Sequence, residues 1–73
     1  MSDFGVVLFH TTSAAFRAEK TLAKNGLIGK LVPTPRQFSS DCGMALRFGW
    51  SEVDRVRALL GAARVEIAAL HAL

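Results

Sequence analysis

Pro33 and Pro35, the only prolines in the chain, fall near its midpoint and divide it into two halves with the same order of apolar and polar stretches. Proline has no N–H to give to a strand ladder and pushes the residue before it into extended geometry. Neither a helix nor a central strand can therefore run through this point. An element that precedes Pro33 must end there, and the chain must start a new one beyond Pro35.

In the first half, Phe4 to His10 is rich in Val, Leu and Phe on both alternating sets, the pattern of a strand covered on at least one face. Thr11, Thr12 and Ser13 follow as three candidate N-caps, since a short side-chain oxygen can accept from the free N–H groups of a first helical turn. A helix is expected from about Ser13 to Asn25. Ala15, Ala18 and Leu22 recur on one face of it, and Arg17, Lys20 and Lys24 on another. Asn25-Gly26 is a strong stop, because glycine enters the left-handed conformation without a Cβ clash. Leu27 to Val32 reads as a second strand, ended by Pro33.

The second half repeats the order. After a polar loop from Arg36 to Asp41 that holds Phe38, the chain alternates strictly, with Met44, Leu46 and Phe48 on one side and Ala45 and Arg47 on the other. This predicts a third strand. Gly49 and Trp50 make a corner, and Ser51-Glu52-Val53-Asp54 resembles a capping box in which Ser51 caps and the acids face the positive end of the helix dipole. Val53, Val56 and Leu60 recur at helical spacing, Gly61 marks the end of this helix or a weak point in it, and Arg64 to Leu70 alternates as a fourth strand.

Two strand-helix-strand halves with right-handed crossovers fold most simply into an α+β, ferredoxin-like βαββαβ sandwich: one four-stranded antiparallel sheet with two helices on one face. Residues 1–73 then form a single domain. The connection from Pro33 to Gly43 is a hairpin loop of unusual length, and such loops often carry function. The open sheet face would hold Ala45, Arg47 and apolar residues of the first strand, a surface suited to a homodimer or partner interface.

A chain of 73 residues is near the lower limit for a core without disulfide or metal, and its hydrophobic fraction of 51% supplies that core. One cysteine and two histidines form neither an internal disulfide nor a structural zinc cluster, so no metal and no cofactor is expected. No apolar run approaches the roughly 20 residues of a membrane span, and Met1-Ser2-Asp3 lacks the basic start of a secretory signal. A cytoplasmic location and no membrane partner are expected. The net charge of +3 favours acidic partners only mildly. The stripe of Arg17, Lys20 and Lys24 has no accompanying aromatic platform, which argues for a solvated helix surface and against nucleic acid.

Chemistry centres on Cys42, in Ser39-Ser40-Asp41-Cys42-Gly43 at the start of the third strand. A thiol attacks as its thiolate. Arg36 and Arg47 are nearby cations, Ser39 and Ser40 can donate hydrogen bonds, and Gly43 lets loop N–H groups turn toward the sulfur, whereas Asp41 opposes the thiolate. Strand parity offers another role: Cys42 shares its register with Met44, Leu46 and Phe48, so a strand that begins early would bury it as a structural residue. A Cys-His hydrolase is disfavoured, because His10 and His71 have no fixed relation to Cys42 in the sequence and so small a chain has little room for a substrate cleft. His10 leads into a helix N-terminus. Phe38 and Trp50 read as loop or core anchors.

Together Thr11, Ala15-Phe16-Arg17-Ala18-Glu19-Lys20, Leu31-Val32-Pro33-Thr34-Pro35-Arg36, Ser39-Ser40-Asp41-Cys42-Gly43 and Ala45-Leu46-Arg47-Phe48 resemble the selenium/sulfur carrier protein-like family, long catalogued as a domain of unknown function. The resemblance covers nearly the whole chain, and its most specific part is Pro-Thr-Pro-Arg followed at this spacing by Ser-Ser-x-Cys-Gly. It implies that Cys42 is the carrier thiol, with Arg36 and Arg47 beside it and Ser39, Ser40 and Gly43 as the cradle of the carried atom. Sulfur or selenium donor and acceptor proteins would be the partners, and the protein would be a carrier rather than a stand-alone enzyme. The alternative is a non-catalytic interaction or regulatory module of ferredoxin-like fold with a structural cysteine.

Overall fold

The computed structural model describes residues 3–38 and 43–73. Its elements run β1 (Phe4–Leu8), α1 (Thr12–Lys24), β2 (Gly29–Pro33), β3 (Met44–Gly49), a single 3₁₀ turn at Trp50–Glu52, α2 (Val53–Ala62) and β4 (Ala69–Ala72). The four strands form one sheet in the order β2-β3-β1-β4, antiparallel at every neighbouring pair. This is the expected α+β, ferredoxin-like arrangement, with β1 and β3 at the centre.

Alternation along the strands divides the apolar residues between two faces. Val7, Leu46 and Phe48 point toward the helices and form the main core with Ala15, Ala18 and Leu22 of α1 and Val56 and Leu60 of α2. Both helices therefore cover the same face. The small residues of α1 let its backbone approach the sheet closely. Gly5 serves the same closeness on β1: a Cβ there would come within 2.5 Å of Trp50 Cε3 and 2.8 Å of Phe48 Cζ, two rings packed with centroids 6.0 Å apart.

Thr11 caps α1, its Oγ1 accepting from the Ala14 N–H at 3.1 Å. The helix stops where the sequence predicts. Leu27 N–H donates to Leu22 O, Gly26 N–H donates to Ala23 O, and Gly26 adopts φ +76°. This is the Schellman arrangement, completed by the buried pair Leu22 and Leu27. Because Leu27 belongs to that cap, β2 begins at Gly29 rather than Leu27, and Ile28 is left 89% exposed. Pro33 is retained as the last residue of β2, a position on an edge strand where its missing N–H costs nothing. No described peptide bond is cis, including the one before Pro35.

The second half departs from expectation at both ends of its helix. Ser51 does not cap α2: residues 50–52 form the 3₁₀ turn, Glu52 takes the N-cap position, and no side chain bonds to the cap. The corner at Trp50 tightens the chain by one turn before the helix starts, since the Trp50 N–H is held by Asp3 O at 3.1 Å. At the other end the helix runs through Gly61 and stops at Arg64, which adopts φ +57°. Arg64 N–H donates to Gly61 O and Val65 N–H donates to Leu60 O, so α2 ends in the same Schellman arrangement as α1 with arginine in the left-handed position. Burial of Val65 against Leu60 offsets the strain.

That cap also explains the late start of β4. Val65 and Ile67 do alternate inward, but the first is tied to the helix end. Pairing with β1 begins only with Ala68 N–H donating to Leu8 O at 2.7 Å, followed by the strand at Ala69–Ala72 rather than at Arg64 to Leu70.

Candidate functional site

The β2–β3 connection leaves and re-enters the sheet through a short stem. Thr34 N–H donates to Gly43 O at 3.0 Å, one rung beyond the Pro33–Met44 pair that ends the ladder. Pro35 then opens a tight turn in which the Phe38 N–H donates to its carbonyl at 3.0 Å, so Arg36 and Gln37 occupy the exposed corner.

The last residue of the turn, Phe38, lies against the open sheet face. Phe38 packs on the second apolar cluster, Val6, Leu8 and Ala45, together with Val32 and Ala69. Its ring stacks on the imidazole of His71, with centroids 4.3 Å apart and planes inclined by 8°. Strand register places that imidazole: Val6 pairs with His71 on one side and with Arg47 on the other, and Arg47 pairs with Lys30. The open face thus bears a cross-sheet row of Lys30, Arg47, Val6 and His71. The next row, Val32, Ala45, Leu8 and Ala69, lies beneath Phe38.

The predicted site residues separate along this frame. Gly43 is exposed at the stem, and no described residue comes within 4 Å of the position a Cβ would take. Arg36 is exposed on the turn at the same end. Cys42, Ser39 and Ser40 lie outside the described residues, as does Asp41. Arg47 sits three residues beyond Met44, about 10 Å along the strand, and its guanidinium carbon lies 4.9 Å from the centre of the Phe4 ring. Phe4 pairs with Gly49, at the end of the sheet opposite the loop. The structure therefore brings Arg36 and Gly43 to one end and engages Arg47 toward the other.

Two recesses flank these features. One of about 320 Å³ lies beside Phe4, Ile28, Lys30 and Arg47. Another of about 210 Å³, at the start of α1, is lined by His10, Thr11, Arg17 and Arg64 among others. Arg17 reaches the C-terminal end of α2, its Nη2 donating to Ala63 O at 3.3 Å, so part of the predicted basic stripe ties the two helices together. Among the described residues no group of three or more His, Cys, Asp or Glu could hold a metal ion, and no helix is long and apolar enough to cross a membrane.

The partnership of Phe38 with His71 was not visible in sequence. Alternation places Ala69 and His71 on one face, but only the register with Val6 brings His71 under Phe38.

No curated protein and no solved structure matches the chain. A family model described as "Putative Se/S carrier protein-like" matches residues 4–72, which includes both helices, all four strands and the loop with Cys42. The chain belongs to the Se/S carrier protein-like family.

Proposed function

We propose that this protein carries sulfur or selenium as a persulfide or perselenide on Cys42. Family membership across residues 4–72 is the observation that carries this reading, and the sequence supports it by offering Cys42 as the sole thiol. The Cys42 thiolate attacks the terminal atom of a donor persulfide or perselenide. A bond forms from Cys42 Sγ to that atom, the donor's own bond to it breaks, and the electron pair leaves on the donor thiolate. An acceptor nucleophile then takes the terminal atom, and the Cys42 thiolate is the leaving group. No electrons are gained or lost overall, and no second cysteine is needed. A resolving thiol beside Cys42 would discharge the cargo by forming a disulfide.

In this proposal Arg36, on the exposed turn at the loop end of the sheet, favours the thiolate and the anionic persulfide. Ser39, Ser40 and the Gly43 backbone cradle the carried atom. Arg47 shares in this only by leaving Phe4. Donor and acceptor proteins are the partners, and a reducing, cytoplasmic setting would keep Cys42 available. Incubation with a cysteine desulfurase or selenocysteine lyase tests the reading: mass spectrometry should find one added sulfur or selenium on the wild type and none on Cys42→Ser. A wild-type protein that gains neither atom would overturn it.

A second reading is favoured by one observation. Ile28 is 89% exposed and Phe4 46% exposed beside the cations Lys30 and Arg47, a surface suited to a non-catalytic interaction module in which Cys42 is structural. That module would keep full partner binding in Cys42→Ser.

A further inference from the structure

Resting on the interaction surface of the second reading above, we propose that the recess at the Phe4–Gly49 end of the sheet docks an acidic segment of a partner protein, one that inserts an apolar side chain flanked by carboxylates. The same docking would serve a carrier, so the chemistry of Cys42 does not enter.

The recess, of about 320 Å³, is lined by Phe4, Ile28, Lys30, Arg47, Phe48 and Gly49. Two of its apolar side chains stand open to solvent, Ile28 at 89% and Phe4 at 46% exposure. The fold does not call for an apolar residue at position 28. Leu27, not Ile28, closes the α1 cap with Leu22, and β2 starts only at Gly29, so a polar side chain would serve there equally well. Gly49 leaves room at the end of β3, since no described residue comes within 4 Å of where its Cβ would lie. Exposed apolar side chains gathered around a recess and rimmed by charge mark a surface that another molecule covers.

Charge decides which molecule. Lys30 and Arg47 pair across β2 and β3 and both line the recess, and no acidic residue is among the described residues that line it. The Arg47 guanidinium carbon lies 4.9 Å from the centre of the Phe4 ring, so its charge stands directly beside the apolar wall. Asp3 precedes Phe4 in the chain but takes no part in the lining. A second copy of this chain is disfavoured, because a two-fold contact would set Lys30 and Arg47 against their own kind in a molecule of net charge +3. Carboxylates on either side of one apolar side chain match both features: they meet the two cations while the side chain covers Ile28 and Phe4. The concave shape favours an inserted side chain over a flat lipid surface.

The test is fluorescence polarisation of the full chain with a labelled peptide in which one leucine is flanked by glutamates. The wild type should bind it, more weakly as salt is raised, and should not bind the same peptide with lysines in place of the glutamates. Lys30→Gln should weaken binding about two- to fivefold, the range an exposed ion pair supports. Ile28→Ser should weaken it about tenfold through lost apolar cover. Both residues are exposed, so neither variant should alter the thermal melt.

No binding of the glutamate peptide, or equal binding by wild type, Lys30→Gln and Ile28→Ser, would overturn the proposal. A glutamine version that binds as tightly, weakened by Ile28→Ser alone, would also overturn it, while keeping this end of the sheet as an interaction surface. Sedimentation with vesicles of anionic phospholipid, lost in both variants when the peptide does not bind, would assign the recess to a membrane surface instead.

Discussion

The Arg47 guanidinium carbon stands 4.9 Å from the centre of the Phe4 ring, at the end of the sheet away from the Cys42 loop. A cation over an aromatic face at a partly exposed site contributes about 0.5–1 kcal/mol. Arg47→Met keeps the apolar stem and removes the charge, so urea denaturation should show a loss of that size. The midpoint of Cys42 alkylation against pH should stay at its wild-type value. A midpoint that rises in Arg47→Met would show that this arginine leaves Phe4 and serves the thiolate.

Arg36 gives the opposite expectation. It is exposed on the turn and has no structural duty in the core. Arg36→Met should leave stability within about 0.5 kcal/mol while, in the carrier reading, moving the midpoint of Cys42 alkylation to higher pH, because a cation beside a thiolate favours its charged form. Stability is checked by thermal melting and the thiol by alkylation rate against pH.

Gly5 is constrained by contact, since a Cβ would meet Trp50 and Phe48 at 2.5 and 2.8 Å. Gly5→Ala should cost about 1–3 kcal/mol through overpacking. At Gly43 no described residue comes within 4 Å of where a Cβ would lie, and Gly43→Ala should change stability by no more than about 0.5 kcal/mol. Urea denaturation of the two variants side by side separates a packing glycine from one that only borders the loop.

The helix stops make a matched pair. Gly26 and Arg64 occupy the same left-handed position of the same cap, at φ +76° and +57°. A side chain in that conformation costs about 1–2 kcal/mol. Gly26→Ala should lose that amount. Arg64→Gly should gain up to about 1 kcal/mol, the relief being reduced by the greater freedom of glycine in the unfolded chain. Paired thermal melts of the two variants give both signs.

The sequence alone determined a good deal about this protein. Element order, the antiparallel ferredoxin-like sheet and both central strands followed from apolar periodicity and the two prolines, because those signals act over a few residues and need no partner. The stop at Gly26 followed from local backbone chemistry in the same way. The second cap was hidden, because Arg64 is no helix terminator by type and takes that role only where Val65 can bury itself against Leu60. The loop was visible as the place of the one cysteine, and Phe38 as an anchor within it. What Phe38 is anchored to, and which end of the sheet holds the charge of Arg47, only the tertiary structure decided. Period tells which face a strand residue occupies, but the neighbour on that face depends on cross-strand register, and a slip of one residue would exchange every face. His71 lies beneath Phe38 and Arg47 beside Phe4 because β1 pairs Val6 with both His71 and Arg47, a relation between residues far apart in sequence that local pattern cannot encode.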